Sequence, residues 1–182
     1  MTVEVEVRSF VTKEKYEELL SFFRNNAEFV NEDYQETFYF DSKEDLRIQK
    51  NNFFSKIWLK KGKMHDESRE EIEIKFGKSE FEKLEKLFLS VGFNVQIKWF
   101  RTRHTFKWQG VDVMVDFTRG YGYIIEIEKI SEEQEKDKTL AMLKEKLEQL
   151  GIKQTPKEEF DAKFKHYKEN WQKLVAESPQ NL

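Results

Sequence analysis

From Val3 to Arg8 the chain reads VEVEVR, and the same alternation of apolar and charged residues returns repeatedly further along. Side chains two apart share one face of a β-strand, so this period predicts strands, here over 2–10, 34–41, 44–50, 54–61, 68–76, 94–108, 111–117 and 122–130. The polar faces constrain the fold most, because they are almost purely charged and their sign is grouped by strand. Glu4, Glu6 and Arg8 stand opposite Val3, Val5 and Val7, and Glu126 and Glu128 opposite Ile125 and Ile127. Asp112 and Asp116 alternate with Val111, Val113 and Val115, while Arg69, Glu71, Glu73 and Lys75 alternate with Ile72 and Ile74. Basic faces are equally regular: Arg47 with Gln49, Lys56 with Lys60, and Arg101 with Arg103 and Lys107.

Helices are marked by their ends. Ser79 with Glu82 reads as a capping box closed by Gly92, and Ser131 with Gln134 as another closed by Gly151, with Leu140, Leu143, Leu147 and Leu150 on one face. Thr155, Pro156 and Glu158 start a last helix whose apolar face is Phe160, Phe164, Tyr167, Trp171 and Leu174. Tyr16, Leu19, Leu20 and Phe23 mark an earlier helix near 12–26. Eight strands with few intervening helices predict an antiparallel sheet, and a sheet of that size curls or closes.

Charge balance decides where so many ionised groups sit. Charged residues are 37% of the chain, yet 32 basic and 35 acidic residues leave a net charge of −3, which argues against a nucleic-acid polymer as partner. The 17 Phe, 6 Tyr and 4 Trp supply a core and argue against disorder. A length of 182 residues suits one domain, placed at 1–176, with barrel strands over 2–130, helices over 131–176 and a frayed tail at 177–182. No stretch approaches the roughly 20 apolar residues of a membrane helix, and no signal-peptide pattern is seen, so the expectation is a cytoplasmic monomer or homodimer without a membrane partner. With no cysteine, disulfides and thiolate chemistry are excluded.

For any one strand, a charged face is ordinarily a solvated face. Taken together the strands point elsewhere. Helices can cover the apolar faces from outside if the sheet closes, which turns the charged faces inward. An interior packed with charge is too costly to be filler, whereas a polar lumen suits a highly charged ligand. Adjacent carboxylates at Glu4/Glu6 and Glu126/Glu128 suit either cross-strand Lys or Arg partners or a hard divalent cation, Mg²⁺ or Mn²⁺, and the basic faces suit phosphate. His65, His104 and His166 show no ligand spacing, and His104 falls on the outer face, where a packing or surface role is expected. Gly120-Tyr121-Gly122 joins two strands and opens no helix, so it is no phosphate cradle. Trp58 falls on the inner face, where it either packs or stacks on a base or thiamine ring.

Glu4-Val5-Glu6-Val7-Arg8 resembles the ExExK signature of CYTH-domain proteins, also called triphosphate tunnel metalloenzymes. The likeness continues in order through Gln35 to Asp41, Leu46-Arg47-Ile48-Gln49, Trp58-Leu59-Lys60, Arg69 to Glu73, Arg101-Thr102-Arg103, Val113 to Asp116 and Glu126-Ile127-Glu128. The resemblance implies an α+β fold, a closed eight-stranded antiparallel β-barrel with helices packed outside. It implies metal-dependent enzymes acting on a triphosphate: class IV adenylyl cyclases, which turn ATP into cyclic AMP and pyrophosphate, and hydrolases such as thiamine triphosphatase and inorganic tripolyphosphatase. A non-catalytic polyphosphate- or nucleotide-binding tunnel is the remaining alternative. By the same resemblance, Glu4, Glu6, Asp116, Glu126 and Glu128 hold the metal. Arg8, Arg47, Lys60, Arg101 and Arg103 contact the phosphates, with Glu4, Glu6 and Arg8 as the catalytic group. Glu71 and Glu73 are lumenal carboxylates, and Lys163 or Lys165 closes one mouth. Arg8 replaces the usual lysine and Gln49 a usual arginine, and both departures bear on the substrate.

Overall fold

The computed structural model describes residues 2–61 and 71–178. His65 and Arg69 lie outside the described residues, as do positions 179–182 of the expected tail. The described residues form β1 (Thr2–Val11), α1 (Lys13–Asn26), β2 (Glu28–Phe40), β3 (Asp45–Lys50), β4 (Ser55–Lys60), β5 (Glu71–Phe76), α2 (Phe81–Ser90), β6 (Val95–Trp108), β7 (Val111–Thr118), β8 (Gly122–Glu132), α3 (Lys136–Gln149) and α4 (Lys157–Glu177). The fold is α+β, and each strand read from the period-two pattern is present.

The strands join one sheet in the order β1-β8-β7-β6-β2-β3-β4-β5. The ladders β1–β8, β2–β3, β3–β4 and β4–β5 are antiparallel. That order is linear: among the described residues β1 and β5 are terminal strands and no ladder joins them. The expected hydrogen-bonded closure is therefore not found. The physical reason is that alternation dictates which side chains share a face, and it reads the same in an open sheet as in a closed one.

The chain divides into two compact units. The first comprises Met1–Glu32, Arg103–Phe117 and Gly122–Phe160. Its core sets Val5, Val7, Val113, Val115, Ile125 and Ile127 from the strands against Tyr16, Leu19 and Phe23 of α1 and Leu143 and Leu147 of α3. These are the valines and isoleucines of the alternating pattern, so in this unit the apolar face is covered by helices and the charged face turns the other way. The second unit comprises Asp33–Thr102, Thr118–Tyr121 and Asp161–Leu182. It packs Phe38, Phe40 and Ile48 against Phe81 and Leu84 of α2. The outer-facing Ile72 and Ile74 of β5 remain exposed.

Helix starts differ from the sequence reading. Thr12 caps α1, its hydroxyl accepting the Lys15 N–H at 3.2 Å. Neither expected capping box forms. Ser79 sits inside a 3₁₀ turn at Lys78–Glu80, and Ser131 lies on β8, bonded to the Thr139 hydroxyl at 2.8 Å. A 3₁₀ turn before α2 and another before α3 move the first α-helical turn downstream of the serine. The Thr155 hydroxyl accepts the Phe10 N–H at 3.0 Å and meets the Ser9 hydroxyl at 2.9 Å. In the second unit Gly120 has φ +71°, and a Cβ there would lie 2.7 Å from the Leu174 backbone of α4. Only glycine fits that close approach.

Candidate functional site

In the first unit, the β1–β8 register sets Glu6 directly opposite Glu128 and Arg8 opposite Glu126. Paired positions share one face, so the acidic residues of both strands converge. Glu4, Glu6 and Glu128 each offer a carboxylate oxygen within 4.8 Å of the other two. Burial, then the Glu126 and Glu4 carboxylates, push the Glu128 carboxyl up to about 8, with Arg103 pulling the other way. A raised carboxyl pKa is the response expected where a buried carboxylate meets others of the same sign.

Arg103 of β6 reaches the other two predicted metal ligands. Its Nε donates to both Asp116 oxygens at 3.0 and 3.2 Å, and its Nη2 donates to Asp116 at 2.7 Å and to Glu126 at 3.4 Å. Asp116 is 2% exposed, so this pair is internal. Burial opposes the Arg103 charge, but Asp116 and Glu126 outweigh it, and its pKa rises. The predicted acidic set thus falls into two groups: a three-carboxylate cluster, and two carboxylates sharing a guanidinium. Arg8 lies 3.3 Å from Glu6 and 5.3 Å from the Phe160 ring centroid. Asp112, on the same face of β7 as Asp116, pairs at 3.7 Å with exposed Lys107. His104 is buried against Tyr16, its Nε2 3.4 Å from Glu32, in the packing role expected.

In the second unit, four strands build a charged face. The registers set Tyr39 opposite Arg47, Arg47 opposite Trp58, and Trp58 opposite Glu73. Each cation here has a carboxylate. Lys60 pairs with Glu71 at 2.7 Å and Lys56 with Glu73 at 2.6 Å, while Arg47 donates to Asp45, with Nε to Oδ1 at 2.7 Å. Burial lowers the Lys56 pKa, and Glu73 pulls it back only in part. Gln49, replacing the usual arginine, donates to the Thr37 hydroxyl at 2.9 Å. Arg101 donates through Nε to Gln35 Oε1 at 2.9 Å, and Gln35 in turn donates to Asp33 at 2.9 Å. Lys163 sits 5.5 Å from the Tyr121 ring centroid and Lys165 is exposed.

Asp45, Gln35 and Lys56 were not among the expected site residues. Asp45 and Lys56 carry a readable signal, since each stands an even number of positions from a predicted site residue on its own strand. Gln35 carries none, being 66 residues from Arg101.

Known proteins share this architecture. A protein of Methanocaldococcus jannaschii named as a putative adenylate cyclase is 31% identical over 162 residues, covering 82% of this chain and 90% of the relative. The solved structure of a conserved hypothetical protein from Pyrococcus furiosus matches with a TM-score of 0.69 at 29% identity, over 82% of this chain and 91% of that one. A Hippeastrum protein described as a putative adenylyl cyclase with a dominant triphosphatase activity shares the fold, with a TM-score of 0.62 at 19% identity over 85% of this chain and 90% of that one. The family model described as the CYTH domain matches residues 2–164, and this chain belongs to that family.

Proposed function

We propose that this chain is a metal-dependent enzyme that processes a triphosphate. The observation that carries the reading is the convergence of Glu4, Glu6 and Glu128, with burial and then the Glu126 and Glu4 carboxylates raising the Glu128 pKa. Oxygen ligands of one sign at this spacing fit a hard divalent cation, Mg²⁺ or Mn²⁺. Glu4, Glu6 and Glu128 would hold it, with Asp116 and Glu126 completing the acidic set. When bound, such an ion supplies Lewis acidity toward a phosphoryl oxygen.

The basic residues take the phosphates: Arg8, Arg47, Lys60, Arg101 and Arg103. Guanidinium and ammonium groups bind non-bridging oxygens and offset the charge that develops on them during transfer. Glu71 and Glu73 hold Lys60 and Lys56 in place until the ligand arrives. Arg8, a guanidinium rather than an amine, binds and orients but moves no proton.

Hydrolysis is the reading favoured here: water attacks phosphorus, the bridging P–O bond breaks, and phosphate leaves. Trp58 is 7% exposed beneath cations and gives a nucleobase no open ring face. The second reading is cyclisation of ATP, in which the ribose 3′-hydroxyl attacks the α-phosphorus and pyrophosphate leaves. It is favoured by the name of the M. jannaschii relative. Product analysis with ATP, thiamine triphosphate and tripolyphosphate, with and without Mg²⁺ or Mn²⁺, decides between them. No turnover of any of the three, with binding intact, would leave a polyphosphate-binding protein.

A further inference from the structure

Trp58 stands at the centre of the charged face of the second unit, with Lys56 and Lys60 two positions to either side of it on β4 and Arg47 opposite on β3. The Lys56 ammonium is 3.7 Å from its ring centroid, the Arg47 guanidinium 5.3 Å and the Lys60 ammonium 5.4 Å. Three cations around one indole suit its electron-rich ring. The ring's own donor is another matter. Nε1–H is buried and meets no acceptor among the described residues. A buried indole N–H ordinarily has a partner, and leaving it without one costs free energy.

The neighbours explain why nothing protein-borne satisfies it. Lys56, Lys60 and Arg47 are themselves donors, and the carboxylates of Glu73, Glu71 and Asp45 are engaged by those cations. What this spot lacks is an acceptor, and what surrounds it attracts an anion. A nucleobase would need an exposed ring face to stack on, and a ring 7% exposed offers none. A phosphate oxygen can satisfy the N–H without stacking on the ring.

We infer that the Trp58 indole N–H donates to a phosphate oxygen of the bound polyphosphate, and that Lys56 beside it belongs to the same phosphate-binding set. This rests on the triphosphate reading above and adds a neutral, directional donor to its point charges. The ligand chemistry is a non-bridging phosphate oxygen, whether carried by inorganic tripolyphosphate or by a nucleoside triphosphate.

The test is a calorimetric titration with tripolyphosphate of the parent chain, Trp58→Phe, Lys56→Ala and Lys60→Ala, alongside the ¹H–¹⁵N spectrum of the indole groups assigned in the parent chain. Phenylalanine keeps an aromatic ring beneath the cations and removes the N–H together with the pyrrole part of the indole. Trp58→Phe should weaken binding by about tenfold or more, the range for a hydrogen bond to a charged acceptor. Lys56→Ala should weaken it comparably. At saturation the Trp58 indole proton should move downfield, with ATP as with tripolyphosphate. If the parent chain binds and Lys60→Ala weakens it, yet Trp58→Phe binds as the parent does and the indole proton stays put, the inference fails while the triphosphate reading stands. A shift with ATP alone would assign the contact to the nucleoside and also overturn it. Failure of the parent chain to bind tripolyphosphate overturns both.

Discussion

Glu6 and Glu128 face each other directly across the β1–β8 ladder, two carboxylates at one register position with Glu4 close to both. Like charges directly opposite destabilise a sheet, so the pair sets the behaviour of the protein without metal.

The first prediction is a pH dependence. Glu128 has its pKa raised from the ordinary 4.5 to about 8 by burial and by Glu126 and Glu4. Between those values the folded protein holds a proton that the unfolded chain has released, so stability falls as pH rises through that window and levels off above it. Urea unfolding in EDTA from pH 5 to pH 9 should show this decline, and Glu128→Gln should flatten it. A flat profile in the parent chain would show that Glu128 ionises normally.

Glu6→Gln removes charge with little change of shape. Metal-dependent turnover should fall by at least about tenfold, the lower end of what loss of even an outer partner of a metal site costs. Thermal stability in EDTA should hold or rise as repulsion is relieved, and the stabilisation by Mg²⁺ should shrink. A protein that unfolds on this change would show instead that the 3.3 Å pair with Arg8 is structural.

Asp116 should behave oppositely. Asp116→Ala leaves the Arg103 guanidinium buried with its main partner gone, a loss of about 3–5 kcal/mol when one member of a buried pair is removed. Urea unfolding without metal should therefore separate Asp116, destabilising on removal, from Glu6, which is not. Equal stability of the two variants would undo the division of the acidic residues into two groups.

On the basic face, Arg47→Ala and Lys60→Ala should each weaken triphosphate binding by about 1.5–3 kcal/mol, the range for a charge-assisted contact. The control is Lys83→Ala. Lys83 is 74% exposed on α2 and bonded to Glu80 at 2.9 Å, so its loss should change affinity little. Similar effects at Lys83 and Lys60 would mean that the basic residues form an ordinary surface.

Much of this was legible from parity alone. Counting in twos along β1, β7 and β8 separates Val5, Val113 and Ile127 from Glu4, Asp116 and Glu128, because the strand period is fixed by backbone geometry. Parity also places Trp58 and Arg47 on charged faces. It does not say which carboxylate a guanidinium will choose. Arg103 takes Asp116 and Glu126 because the strand order brings β6, β7 and β8 side by side, and strand order depends on contacts between distant residues. The serine caps were misread for a local reason: a 3₁₀ turn before the helix leaves the composition of a capping box intact while shifting its register. That no ladder joins β1 and β5 among the described residues had no local signal at all.

The pairing of Lys56 with Glu73, Lys60 with Glu71 and Arg47 with Asp45 means that the basic face carries its own counterions. An arriving anion must compete with tethered carboxylates at very high effective concentration. A single phosphate displaces one of them and gains little, whereas a chain of three displaces several in one event. On the proposed reading, discrimination by phosphate number would arise from competition inside the fold, and abundant monophosphates in a mixed metabolite pool should be poor inhibitors even of a face this basic.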